Sequence, residues 1–394
     1  MAISSKSFVI STSISPLKMP SNPPIENKRR FQAMLMPSVD PSIWDRWDYG
    51  IGIQAPKFSA AKQLSPGQTV SILVVFSGFD TDPQQHVDLQ YSWTFCSSNG
   101  ENLHQEPWKT AVKGRVLHRD FLLRQMEETS FQIPTHVTPG HYTFHLDAEC
   151  LISKQHSSQS VTIPVSKPTH PKTISQEEAE DFVSHYLEGP VPQSSVHAYL
   201  GLFDTIGRTQ PDSFFSALPF FAKILGDNKW LLPSIEEGWD HLNKSHQAAC
   251  SLLCHAARID SSHPGLSALI SQRAHAPFPS IAGILTNPVT HPQELDFIWS
   301  IFLASGHFNV FRKICNALGA MPEAFAAVTP DSTQTAVRRS AAWSIRHFTV
   351  QNPLCMTYAM ALCKEPNLDP QVKQFLLGML KMAGWEPNND HEGM

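Results

Sequence analysis

Three observations predict a multidomain β + α chain. Apolar and polar residues alternate with a strand-like period between positions 64 and 165. A helical period runs from position 174 almost to the end, and a proline-bearing break separates the two regions. With 394 residues the chain is long enough for two or three domains. The pattern divides it into an extended arm at 1–60, an immunoglobulin-like β-sandwich at 61–166, a linker at 167–173, an all-α array at 174–386 and a disordered tail at 387–394.

Residues 1–60 have no stable period. Yet Ile43, Trp44, Trp47 and Tyr49 are too apolar to leave bare, so this stretch is expected to pack on a domain of the same chain or on a neighbouring subunit. From Ser65-Pro66-Gly67 a strand follows in which Val70, Ile72, Val74 and Phe76 share one face. Leu73 and Val75 on the opposite face imply cover on both sides. Val87, Leu89, Tyr91, Trp93 and Phe95 form a clean alternation, as do Tyr142, Phe144, Leu146, Ala148 and Cys150 after the Thr138-Pro139-Gly140 turn. Further strands are expected near 111–118, 129–133 and 159–165, and about seven strands in roughly 100 residues suit an immunoglobulin-like sandwich. The Pro139-Gly140-His141-Tyr142 hairpin resembles that of bacterial and extracellular sandwich modules, over about a quarter of the chain, and implies no activity. Cys96 and Cys150 fall on opposite faces of their strands, which argues against a disulfide between them.

Pro168 and Pro171 end the strand pattern, and Ser175 with Glu178 has the spacing of a capping box. Helices follow, one of them kinked or broken at Pro219. The densest apolar stretch, 294–318, reads as two amphipathic helices joined at Ser305-Gly306. It resembles the helix pairs of tetratricopeptide-type proteins, but the chain has no fixed 34-residue period and lacks that family's Trp, Leu-Gly and Tyr signature. An irregular solenoid or a compact bundle is therefore expected. In the helix spanning Arg338 and Arg339, packing is assigned to Val337, Ala341, Trp343 and Ile345.

The net charge of -5 and the shortness of the basic runs at Lys28-Arg29-Arg30 and Arg338-Arg339 disfavour nucleic acid as a partner. Charged residues make up only 16% of the chain, below the usual figure of about 25%, which suits a surface partly covered by other proteins. Seven Cys without a disulfide framework favour a reducing, cytoplasmic setting; export by a route lacking a conventional signal peptide stays open. There is no run of apolar residues long enough to span a membrane.

His246, Cys250 and Cys254 recur every four residues, but the outer pair stand about 12 Å apart along a helix, so packing outweighs metal binding. His141, His145, Asp147 and Glu149 line the wet face of one strand, and Asp296 could pair with His307. No Ser-centred elbow, phosphate-cradling Gly loop or zinc helix is present, so no catalytic residue, cofactor or metal is assigned. The expectation is a noncatalytic structural or adaptor protein holding other protein subunits, or copies of itself, in a larger assembly such as a bacterial envelope or secretion-associated complex. Trp44, Trp47, Tyr49, His307 and Asn309 are its candidate protein-binding residues. The alternatives are a hydrolase or carbohydrate-processing enzyme with a sandwich accessory domain, and a sugar- or ligand-binding module using Trp44, Trp47 and Trp108.

Overall fold

The computed structural model describes residues 30–50, 58, 60–116, 122–273, 278–319 and 333–385. The first part of the expected arm, the tail at 387–394, and Lys28 with Arg29 lie outside the described residues. The chain has an N-terminal β-sheet region and a C-terminal α-helical region. One sheet joins β1 (Gln32–Ser38), β2 (Thr69–Ser77), β5 (Leu123–Arg124) and β6 (Ser130–Gln132) in the order β1-β2-β5, with β6 also on β2. The other has the order β4-β3-β7-β8, built from β3 (His86–Cys96), β4 (Asn102–Arg115), β7 (Gly140–Cys150) and β8 (Gln155–Val165). All named strand pairs are antiparallel.

The inward residues of both sheets share one apolar cluster. Val70, Ile72, Val74 and Phe76 of β2 meet Leu89, Tyr91, Trp93 and Phe95 of β3 and Tyr142, Phe144 and Leu146 of β7 there. The phase of β3 and β7 places Cys96 opposite Thr143 and Cys150 opposite Leu89, and both thiols are free.

Part of the expected arm carries regular structure. Phe31, Ala33 and Leu35 alternate into the β core, and β1 pairs with β2 along its whole length. The backbone N–H groups of the same three residues turn the other way and donate to Gln155 Oε1, Ser157 Oγ and Gln159 Oε1 of β8, at 3.0, 3.0 and 2.6 Å. An edge that would otherwise present unpaired donors is thus closed by side chains of the opposite sheet. After β1, α1 (Ile43–Gly50) covers the outer face of β2, where Ile43 and Trp47 bury Leu73 and Val75. Full burial of such side chains stabilises by about 1.5–3 kcal/mol each, which accounts for the two apolar faces of β2.

The helical region comprises α2 (Gln176–His185), α3 (Ser195–Thr209), α4 (Pro211–Asp227), α5 (Leu232–Gly238), α6 (Lys244–Ala256), α7 (Pro264–Gln272), α8 (Ile281–Thr286), α9 (Pro292–Ser305), α10 (Phe308–Asn316), α11 (Thr333–Gln351), α12 (Pro353–Cys363) and α13 (Pro370–Met382). Ser175 and Glu178 form the capping box of α2. Pro219 does not end α4, which continues through it to Asp227. One apolar cluster gathers α3, α4 and α6, with Tyr199, Phe220 and Phe221 at 1% exposure or less. A second gathers α9 to α13 around Phe302, Phe311 and Tyr358. Between α9 and α10, Gly306 is left-handed at φ 62° and caps α9. A Cβ there would lie 2.6 Å from Ser42 Oγ, so conformation and space both require glycine.

The segment expected to be a linker is held on the helices. Lys172 N donates to His197 Nδ1 at 3.0 Å, and the other ring nitrogen of His197 is 2.9 Å from Thr169 Oγ1. Because Nδ1 accepts, Nε2 carries the proton and donates to Thr169. Burial lowers the pKa of this imidazole.

Candidate functional site

The N-terminal candidates lie where α1 meets the helical region. Arg46 Nε pairs with Asp40 Oδ2 at 2.8 Å, and its Nη2 donates to the Leu187 carbonyl at 2.6 Å. Tyr49 stacks on Phe308 with centroids 3.6 Å apart, and meets Tyr358 edge-on at 6.1 Å. Burial is the first cause that raises the Tyr49 phenol pKa. His307 Nδ1 lies 3.1 Å from Asp45 Oδ2. Asp296, expected beside His307, is instead on the exposed side of α9.

The five candidate residues do not form one surface. Trp47 is 6% exposed and stacks on Phe58, so its ring belongs to the interior. Trp44 is half-buried, with the Arg124 guanidinium 5.1 Å from its ring centroid, and Arg124 is held by Asp48 at 2.7 Å. Tyr49 and His307 meet at the junction of α1 with α10, while Asn309 is exposed and borders a separate cleft. The aromatic pattern in 43–49 marked packing within the chain, with α1 as the piece that joins the two regions.

A cleft of about 490 Å³ opens between α8, α10 and α11. Asn309, Arg312, Lys313 and Asn316 enter it from α10, and Gln334 and Arg338 from α11. Arg312 forms an ion pair with Glu365 and lies over the Phe308 ring at 5.0 Å. Lys313 Nζ donates to the Asn287 carbonyl at 2.6 Å, and burial lowers the pKa of its ammonium.

Further along α11 the expected packing set divides. Val337, Ala341 and Ile345 are buried at four-residue spacing, but Trp343 is 67% exposed. At 100° per residue Trp343 stands about 200° from Ala341, on the far side of the helix. Its ring stacks on His347 with centroids 5.1 Å apart, and Val350, one turn further on, is 57% exposed. Arg339 and Arg346 are exposed on the same helix, and its 19 residues include no Asp or Glu. The spacing of the buried set was the signal that separated Trp343 from it.

The remaining constellations are spent on local contacts. His246 Nε2 is 2.9 Å from Asp204 Oδ2, whereas Cys250 and Cys254 are core residues whose thiols burial pushes up, that of Cys254 to about 12. His145 meets Ser160 at 2.7 Å, Asp147 accepts from Ser158 at 2.6 Å, and Glu149 accepts from Gln90 at 2.7 Å, each across a strand pair. Among the described residues no group of three or more His, Cys, Asp or Glu is placed to hold a metal ion, and no helix is long and apolar enough to cross a membrane.

No family model matches the chain, and no curated protein matches it. Among solved structures it is similar to the sporulation control protein Spo0M from Bacillus subtilis, at 15% identity over 40% of this chain and 55% of that one, with a TM-score of 0.17. It is also similar to a family 123 glycoside hydrolase from Clostridium perfringens, at 11% identity over 43% of this chain and 34% of that one, with a TM-score of 0.20. A family 76 glycoside hydrolase from a Bacteroides thetaiotaomicron strain gives 10% identity over 76% of each chain and a TM-score of 0.15. The chain spans about half the length of the first and about a third of the second. Likeness at this level assigns neither a family nor an activity.

Proposed function

We propose that the chain is a noncatalytic adaptor that holds another protein along the outer face of α11. The observation that carries this reading is the 67% exposure of Trp343 on a helix with three Arg and no acidic residue, within a protein of net charge -5. Trp and Arg are the residue types that dominate binding energy at protein interfaces. A bare Trp flanked by Arg339 and Arg346 suits an acidic segment with an apolar stripe. A second copy of this chain fits less well, because a two-fold contact would set the same arginines against each other. Three arginines also fall short of the extended basic footprint that nucleic acid requires.

In this reading the β region is an immunoglobulin-like sandwich that serves as a rigid body, and the helical region is an irregular array that displays α11. Of the original candidates, Asn309 and the exposed edge of Trp44 stay available to a partner, whereas Trp47, Tyr49 and His307 secure α1. A photo-crosslinking residue at position 343 is expected to give an adduct with an acidic protein. Adducts only with the chain itself, or equal yields from a control position on the buried side, would count against the proposal.

A further inference from the structure

The cleft between α8, α10 and α11 has a chemistry separate from the Trp343 face. Among the described residues its charged lining is Arg312, Lys313 and Arg338, with no carboxylate. Glu365 neutralises Arg312 from outside the lining set, which leaves two cationic side chains. The Nε atoms of Arg312 and Arg338 are both shielded from solvent without a hydrogen-bond partner. Neither Nε opens onto the cleft, so a ligand there would meet Arg338 through its terminal guanidinium nitrogens. Asn309, Asn316 and Gln334 add neutral amide donors, while Leu285, Val289 and Val337 supply an apolar wall.

We infer that this cleft binds a soluble organic phosphate monoester, with the phosphate at Arg338 and Lys313 and the organic part against the aliphatic wall. Lys313 and Arg338 make no ion pair among the described residues, with Glu294 acting on Lys313 only at longer range, and guanidinium and ammonium groups together are a common phosphate-binding pair. The apolar wall and the volume of about 490 Å³ favour an organic ester over inorganic phosphate, since pockets of this size take small molecules. A phosphate would also relieve the unfavourable burial of the Lys313 ammonium. This inference does not depend on the adaptor reading.

Titration calorimetry on the full chain tests it with three probes: phenyl phosphate, inorganic phosphate and the uncharged benzyl alcohol. Phenyl phosphate is expected to bind more tightly than inorganic phosphate, with no heat from benzyl alcohol. Arg338→Gln should weaken phenyl phosphate at least tenfold. Gln334→Glu, at an exposed position in the first turn of α11, should weaken it comparably while leaving the melting temperature unchanged. No binding of phenyl phosphate to the wild-type chain, or wild-type affinity in both variants, would overturn the inference. Binding to vesicles containing phosphatidic acid without binding of phenyl phosphate would assign the cleft to a lipid headgroup and overturn it as well.

Discussion

Asp45 of α1 and His307 at the start of α10 share one carboxylate oxygen: Asp45 Oδ2 lies 3.1 Å from His307 Nδ1 and accepts from Phe308 N at 3.0 Å. His307 is the N-cap residue of α10 but makes no capping bond with its own side chain. A residue more than 260 positions away in sequence therefore satisfies the first donor of the helix and places a negative charge at its positive end. Local sequence around 307 shows no sign of this, because the capping group arrives from another part of the fold.

Replacing Asp45 by Ala should destabilise the protein by about 1–2 kcal/mol, the usual cost of a lost helix cap. Asp45→Asn keeps an acceptor and should cost less. The same loss should loosen α1, so hydrogen exchange at residues 43–50 should quicken along with the fall in the thermal midpoint. A change below about 0.3 kcal/mol with unaltered exchange would show that the carboxylate does not hold the junction.

Gln125 occupies the gap between β5 and β6 along the edge of β2. Its Oε1 accepts from Val74 N at 2.6 Å, its Nε2 donates to the Ile72 carbonyl, and its own N donates to the Val74 carbonyl at 3.1 Å. The side-chain amide thus continues the ladder where no strand residue does. At 1% exposure its removal would leave a buried donor and a buried acceptor on β2. With about 1–3 kcal/mol for each of the two orphaned groups, Gln125→Ala should cost about 2–6 kcal/mol in urea unfolding. A loss under about 1 kcal/mol would mean that water replaces the amide without strain.

His197 makes stability depend on pH. Burial holds its folded-state pKa below the ordinary 6.5, so the unfolded chain binds the proton more readily. Its contribution is fully present above about pH 6.5 and is lost as pH falls through the folded-state value. The wild-type melting temperature should therefore drop more steeply below pH 6.5 than that of His197→Gln. Parallel pH profiles would contradict the neutral tautomer that joins Thr169 to Lys172.

Much of the architecture was legible from spacing. The two-residue period of Tyr142 to Cys150 and the break at Ser305-Gly306 reflect local backbone geometry, which a sequence displays directly. β1 was missed although Phe31, Ala33 and Leu35 alternate, because Met34 and Met36 fill the opposite face with apolar residues and blur the period. Gln125 and Asp45 looked like ordinary loop and helix polar residues; their partners lie on distant strands and helices. The cleft joins residues 285 to 338 from three helices, so no local motif announces it. Trp343 could have been separated from its neighbours by phase alone.

The most direct test of the adaptor reading is the intact mass of the complex recovered gently from the native source, compared with that of a Trp343→Ala, Arg346→Glu variant. Both substitutions are at exposed positions, so the variant should keep its fold and melting temperature. The account predicts a wild-type complex heavier than the 43.9 kDa chain by an acidic partner, and a monomer for the variant. A wild-type monomer, or the same complex from both proteins, would contradict it.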